Sequence, residues 1–221
     1  MLAFSLEQEP DAGAWLAGDT LLWRPEPARA AERICLVSEL KLRGRHNIAN
    51  VLAACAVSGA AGATAAAMRE VAVTFAGVEH RLEPVRTLRG VTYYNDSIAT
   101  SPERSMAALR AFDEPLVLLA GGRDKHLPWA EWATLVGERV RDCICFGEMA
   151  PLLLQALGPV AAGRGLRVHA CSTLEQAVAL AAQIARPGDV VLLSPGGTSF
   201  DAYVDFAARG EAFRQAVRAL S

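Results

Sequence analysis

GVTYYNDSIATSPERSMAAL, residues 90–109, begins as a strand and ends as a helix. Its first residues alternate aromatic and β-branched side chains, which suits a pleated surface. Ser101, Pro102 and Glu103 then read as a helix start, with a hydroxyl at the N-cap, Pro at the first helical position and an acid in the first turn. That pattern leaves Asn95, Asp96, Ser97 and Thr100 without a structural assignment. A carboxylate at a strand end accepts from a ribose hydroxyl or holds a metal, so this turn is a candidate ligand site.

Downstream the same rhythm repeats. Strands are expected over 91–94, 116–120, 142–146, 166–170 and 190–193, and helices over 102–111, 128–136, 150–157, 174–184 and 204–220. Strand–helix alternation implies crossover connections and a mostly parallel sheet with helices on both faces. Val117, Leu118, Leu119 and Ala120 are apolar at every position, as a strand buried on both faces should be. Upstream lie short β segments over 2–5, 14–16, 20–23 and 34–37, with a hairpin turn at Gly18-Asp19. Helices follow over 47–58, with Gly59 as a stop signal, and over 65–75. This meander with two helices does not look complete, and the pattern changes near Arg81. The expected architecture is therefore α/β in two units. A truncated α/β piece spans 1–81, and a doubly wound, Rossmann-like, mostly parallel sheet spans 82–221.

The bulk numbers narrow the function. Hydrophobic residues make up 52% and charged residues 21% of the 221, which allows a large core and argues against disorder. The net charge is −2 with no long basic run, so nucleic acid is not the expected partner. No apolar run reaches the ~20 residues of a membrane span and no signal peptide opens the chain, so a cytoplasmic protein is expected. The five cysteines, Cys35, Cys55, Cys143, Cys145 and Cys171, read as reduced core thiols. Cys143 and Cys145 lack the second pair that a zinc knuckle needs.

In doubly wound sheets, ligands bind beyond the carboxyl ends of the strands. Three polar or glycine-rich loops fall there. The first is the opening turn. The second runs from Gly121 and Gly122 to Lys125 and His126, where two glycines let the backbone approach a ligand and Lys125 offers a point charge. Pairing of Lys125 with Asp124 on a solvated turn explains the same residues. The third holds Gly196, Gly197, Thr198 and Ser199, and either binds an anion or caps the last helix. Asn47 or His46 is a natural cap for the helix over 47–58. His80 and Arg81 suit a hinge salt bridge or a ligand contact, and His169 is expected to be an ordinary strand residue. The chain lacks G-x-x-x-x-G-K-[ST] and has no G-x-G-x-x-G after its first α/β strand, which counts against a nicotinamide-type oxidoreductase.

The ordered set GRHNIANVLAA, GVEHRLE, YYNDSIATSPE, LLAGGRDK and LLSPGGTSFDAYVDFAARGEAF resembles the Mur ligases, and most resembles the branch that joins D-glutamate to UDP-N-acetylmuramoyl-L-alanine. Each motif is weak alone; five in order are strong. The resemblance implies a C-terminal portion: the last part of the central ATPase domain over 1–81 and the whole C-terminal Rossmann-like domain over 82–221. It also implies ATP-dependent amide formation through an acyl phosphate in peptidoglycan precursor synthesis, by a monomer. The Mg2+ ligands and the phosphate loop would lie in the preceding part, which leaves this chain inactive alone and with no catalytic residue or metal ligand of its own. By motif position, Asn47, Asn50, Arg81 and Asp96 would face the nucleotide, and Thr100, Lys125, Ser199 and Phe206 would hold D-glutamate. Two departures stand out. Ile98 occupies a position where many members have Lys, so a cation is absent unless Arg123 supplies it. Gly196, Gly197 and Thr198 replace a common Ala-Cys-Ala, which should loosen that loop. A non-catalytic nucleotide- or amino-acid-binding regulator on the same fold is the alternative.

Overall fold

The computed structural model describes residues 2–221, which form two compact units, 2–77 and Val78–Ser221. The division falls slightly ahead of the boundary expected at Arg81.

In the first unit, β1 (Ala3–Ser5) runs parallel to β2 (Gly13–Ala17). β2 pairs antiparallel with β3 (Thr20–Arg24) around Gly18 and Asp19, and β3 pairs antiparallel with β4 (Glu32–Leu36). Helices α1 (Arg45–Ala60) and α2 (Ala65–Thr74) cover this sheet. Ala14, Leu21, Trp23, Ile34, Leu52 and Met68 make the shared core. α1 does not stop at Gly59 and is not capped by Asn47 or His46, because Gly44 is its N-cap. The two helices leave an apolar groove of about 350 Å³ walled by Val51, Ala54, Val71 and Phe75, with Asn50 also on its wall.

The second unit contains β5 (Glu83–Leu88), β6 (Val91–Asn95), α3 (Pro102–Leu109), β7 (Leu116–Gly121), α4 (Ala130–Arg139), β8 (Val140–Phe146), α5 (Ala150–Arg164), β9 (Arg167–Cys171), α6 (Leu174–Ile184), β10 (Val190–Gly196) and α7 (Phe206–Ala219). The sheet order is β5-β6-β10-β7-β8-β9, parallel except for β5. The α/β class with a mostly parallel sheet is therefore the observed one.

Side-chain alternation explains the double covering. Leu116, Leu118 and Ala120 of β7 face one core with Trp132, Val136 and Leu153, from α4 and α5. Val117 and Leu119 face the other with Val178, Phe213 and Val217, from α6 and α7. Every residue of β7 is buried. Each fully buried leucine contributes about 1.5–3 kcal/mol relative to exposure.

Two elements differ from expectation. β5 is an additional edge strand, antiparallel to β6. α5 continues to Arg164 through Pro159, and Leu157, Val160 and Ala161 pack it onto the core beneath. All five cysteines are free thiols, four of them buried. Among the described residues, no helix is long and apolar enough to cross a membrane.

Candidate functional site at the carboxyl edge of the sheet

β6 leads through α3 to β7, yet β10 lies between them. The loops after β6, β10 and β7 are therefore neighbours at the carboxyl edge. These are the three loops singled out in the sequence, over 95–103, 193–201 and 120–126.

The turn after β6 is anchored inward. Asn95 is fully buried; its amide donates to the Gly210 carbonyl at 3.3 Å and meets His80 Nδ1 at 2.9 Å. Its Oδ1 accepts the Ser97 N–H at 3.1 Å. Asp96 is 4% exposed. Its Oδ2 accepts from Ser194 Oγ at 2.8 Å and its Oδ1 from the Leu82 N–H at 3.2 Å. Burial pushes its pKa up to about 7, against the lowering effect of those bonds and of Arg81 and Arg104. Arg81 itself is exposed. His80 is buried against Asn95 and approaches Glu79 at 3.9 Å and Glu83 at 4.0 Å.

Ser101 is the N-cap of α3, but its hydroxyl makes no capping bond. The Glu103 carboxylate two residues on is held below its ordinary value, first by its own backbone N–H and then by the Ser101 hydroxyl.

The second loop meets the first at its tip. Lys125 Nζ donates to Thr100 Oγ1 at 3.3 Å. Pairing with Asp124 is not what is seen: Asp124 Oδ1 accepts from Trp129 Nε1 at 3.1 Å, and Oδ2 lies 3.5 Å from His126 Nδ1. Arg123 does not supply the cation missing at Ile98, because its Nε is paired with Glu148 at 2.9 Å. Arg104 comes nearer, donating from Nη1 to the Ile98 carbonyl at 3.3 Å.

The third loop is bound to the second by reciprocal backbone bonds, Arg123 N–H to Thr198 O and Thr198 N–H to Arg123 O, both 2.9 Å. Gly196 N–H donates to Ala99 O at 2.8 Å, tying it to the first as well. Both glycines of this loop are buried. Neither Thr198 nor Ser199 caps the last helix. Asp205 does, accepting from the Ala208 N–H at 2.7 Å. Ser199 is buried, and Phe206, at the first position of α7, is 36% exposed with its ring edge-on to His80.

One participant escaped the sequence. Arg209 of α7 is fully buried, and its guanidinium donates to oxygens of the first and third loops. In FAARGEAF it reads as a surface charge. The available signal was the adjacent Gly210, a poor helix former whose added Cβ would lie 2.2 Å from His80 Nδ1.

In the first unit, Asn47 is buried, with its amide donating to Arg43 O at 2.7 Å. Its Oδ1 accepts from Asn50 Nδ2 at 3.3 Å, which orients the exposed Asn50.

Residues 80–197, more than half of the chain, match the family model described as the Mur ligase, glutamate ligase domain. The chain belongs to the Mur ligase family. Its sequence is 44% identical to UDP-N-acetylmuramoylalanine–D-glutamate ligase of Symbiobacterium thermophilum, over 100% of this chain and 48% of that protein. It is 38% identical to the ligase of the same name from Clostridium novyi, over 100% of this chain and 47% of that one. The chain thus spans about half the length of the curated relatives it matches. Among solved Mur ligases, UDP-N-acetylmuramate-alanine ligase MurC of Thermotoga maritima shares the fold, with a TM-score of 0.66, 15% identity, and coverage of 97% of this chain and 47% of that one. FolC of E. coli in complex with ADP shares it too, with a TM-score of 0.64, 19% identity, and coverage of 94% and 47%. Within the Mur ligase frame, the three loops occupy the strand-end position at which α/β sheets bind ligands.

Proposed function

We propose that this chain supplies the D-glutamate site and part of the nucleotide site of an ATP-dependent ligase that joins D-glutamate to UDP-N-acetylmuramoyl-L-alanine in peptidoglycan precursor synthesis. The observation that carries this reading is the meeting of Lys125 and Thr100 at the mouth of three loops, a cation beside a hydroxyl where an amino-acid carboxylate can bind both. The identity to D-glutamate ligases over the whole chain supports the choice of amino acid.

In this reading ATP phosphorylates the carboxylate of UDP-N-acetylmuramoyl-L-alanine. The D-glutamate amine attacks the acyl phosphate, the C–N bond forms, and the C–O bond to phosphate breaks. Lys125 and Thr100 hold one carboxylate of D-glutamate, with Ser199 and Phe206 beside them. The chain's contribution is to position the amine. Asn50, oriented by Asn47, and the exposed Arg81 are each assigned to the nucleotide. Asp96 already accepts from Ser194 and Leu82 and is 4% exposed, so it reaches a ribose only if the turn around it opens.

The residues present do not fit the phosphate grip or a Mg2+ site. The chain has no Walker-type loop, and the described residues contain no cluster of three or more His, Cys, Asp or Glu that could hold a metal. Both functions are assigned to the region of the relatives that this chain does not match.

The test is phosphate release with ATP, magnesium, UDP-N-acetylmuramoyl-L-alanine and D-glutamate, using the chain alone and the chain supplemented with the preceding half of a relative. Release only in the second mixture is expected. Release from the chain alone would mean that phosphate is gripped within it. Silence in both, with folded proteins, would favour a non-catalytic binder.

A further inference from the structure

The geometry points to Arg209 as the positioning residue of the amino-acid site, a buried clamp that holds the loops after β6 and β10 together and, through Thr198, the loop after β7. The proposal rests on the D-glutamate reading above.

A fully buried arginine is usually neutralised by a carboxylate, because an unpaired buried charge is costly. Among the described residues, the hydrogen-bond partners of Arg209 are hydroxyl and carbonyl oxygens, and the Asp201 carboxylate acts on it only through its charge. Its Nε donates to Ser97 Oγ at 3.0 Å and Nη2 to Ser97 O at 2.9 Å. Its Nη1 donates to Gly197 O at 3.1 Å and Thr198 O at 3.0 Å. All four contacts fall on loops that reach the carboxyl edge. Ser97 Oγ in turn donates to the Phe206 carbonyl at 2.7 Å, which closes the network back onto the start of α7. Thr198 O also accepts the Arg123 N–H, so the clamp extends to the loop that carries Lys125.

The fork of the guanidinium is what this arrangement requires. Its donors lie in one plane at fixed angles, and they span two chain segments at once. A lysine ammonium keeps the charge but cannot bridge the same four acceptors. Burial lowers the pKa of Arg209 to about 10, so the cation persists at neutral pH. Arg209 need not touch D-glutamate. It sets the separation of Thr100, Lys125 and Ser199, and a displacement of about 1 Å is enough to weaken binding strongly.

The test is calorimetric titration of D-glutamate into the wild-type chain, Arg209→Lys and Ser97→Ala, with amide hydrogen exchange read on the same samples. Arg209→Lys is expected to raise the dissociation constant roughly tenfold or more, the effect of losing charge-assisted bonds. It should also speed exchange at the Arg123 and Thr198 amides while exchange within β7 stays unchanged. Ser97→Ala, which keeps the cation and removes one acceptor, is expected to cost about threefold, at the low end for one hydrogen bond. Unchanged affinity and exchange in Arg209→Lys would overturn the clamp. If that variant does not fold, unchanged affinity in Ser97→Ala overturns it. A wild-type chain that does not bind D-glutamate defeats the reading of the site instead, and the clamp then stands or falls on the exchange result.

Discussion

Ser194 Oγ donates to Asp96 Oδ2 at 2.8 Å, joining β10 to the turn after β6. The bond is internal, between neighbouring parallel strands, and the carboxylate it meets is enclosed. Asp96 therefore titrates far from its ordinary value, at about 7, because burial disfavours its charge.

A raised carboxyl pKa has a definite sign for stability. Between about pH 4 and 7 the folded chain holds a proton at Asp96 that the unfolded chain releases. This contribution is complete below the unfolded pKa and is lost as pH rises through about 7. Urea unfolding at pH 5 and pH 8 should show the wild type losing stability relative to Asp96→Asn. Parallel pH profiles for the two proteins would refute the assignment.

At the other end of the sheet, Asp142 of β8 behaves in the opposite sense. Its side chain is fully buried, and burial alone would raise its pKa. Bonds from Arg167 at 2.7 Å, Arg141 at 2.7 Å and His169 at 3.0 Å together outweigh burial and hold it well below the carboxylate range. The stability it confers is present above about pH 4 and lost in stronger acid. Asp142→Asn removes the carboxylate that Arg167 pairs with, while Arg141 keeps Asp189, so chemical denaturation at pH 7 should show a loss of about 1–3 kcal/mol.

How much of this was legible beforehand differed between strand and helix. Val117-Leu118-Leu119-Ala120 announced a doubly buried strand because it has no polar face. Glu83–Leu88 did not announce β5, because an edge strand with one exposed side carries Pro84, Arg86 and Thr87. Gly158 and Pro159 look like a helix stop, yet the apolar residues beyond them have a core to cover. Local signals lose when tertiary packing offers more.

The site divides the same way. Asp96, Thr100 and Lys125 are visible as polar residues left over by capping and turn chemistry. Arg209 is not, since the one local hint, the helix-weakening Gly210 beside it, does not say that the arginine is buried. His169 reads as an ordinary strand residue, and its bond to Asp142 depends on β8 and β9 being neighbours. Which loops become adjacent depends on β10 inserting between β6 and β7, and strand order is not written in local pattern.

Gly122 makes the loop contacts sensitive to a single methyl group. Its φ is +110°, and an added Cβ would lie 2.0 Å from Thr198 O and 2.9 Å from Arg209 Nη1. Gly122→Ala should destabilise the chain by roughly 1–3 kcal/mol through backbone strain alone, and more with the clash. It should also weaken D-glutamate binding. A thermal melt and a binding titration on the same preparation check both effects.

Lys125→Ala, assayed in the ligase assembled with the preceding half of a relative, should raise the KM for D-glutamate roughly tenfold or more, in keeping with about 1.5–3 kcal/mol for a bond to a charged group. The KM for ATP should change little. Equal losses for both substrates would remove the amino-acid role from Lys125.

The most direct measurement is a titration of the isotopically labelled chain with D-glutamate, followed by amide NMR shifts. If the three loops form the amino-acid site, saturable shifts will concentrate at Thr100, Lys125, Thr198 and Ser199, with the first unit unaffected. Saturable shifts confined to other regions, or none at millimolar D-glutamate in a folded sample, would contradict that assignment.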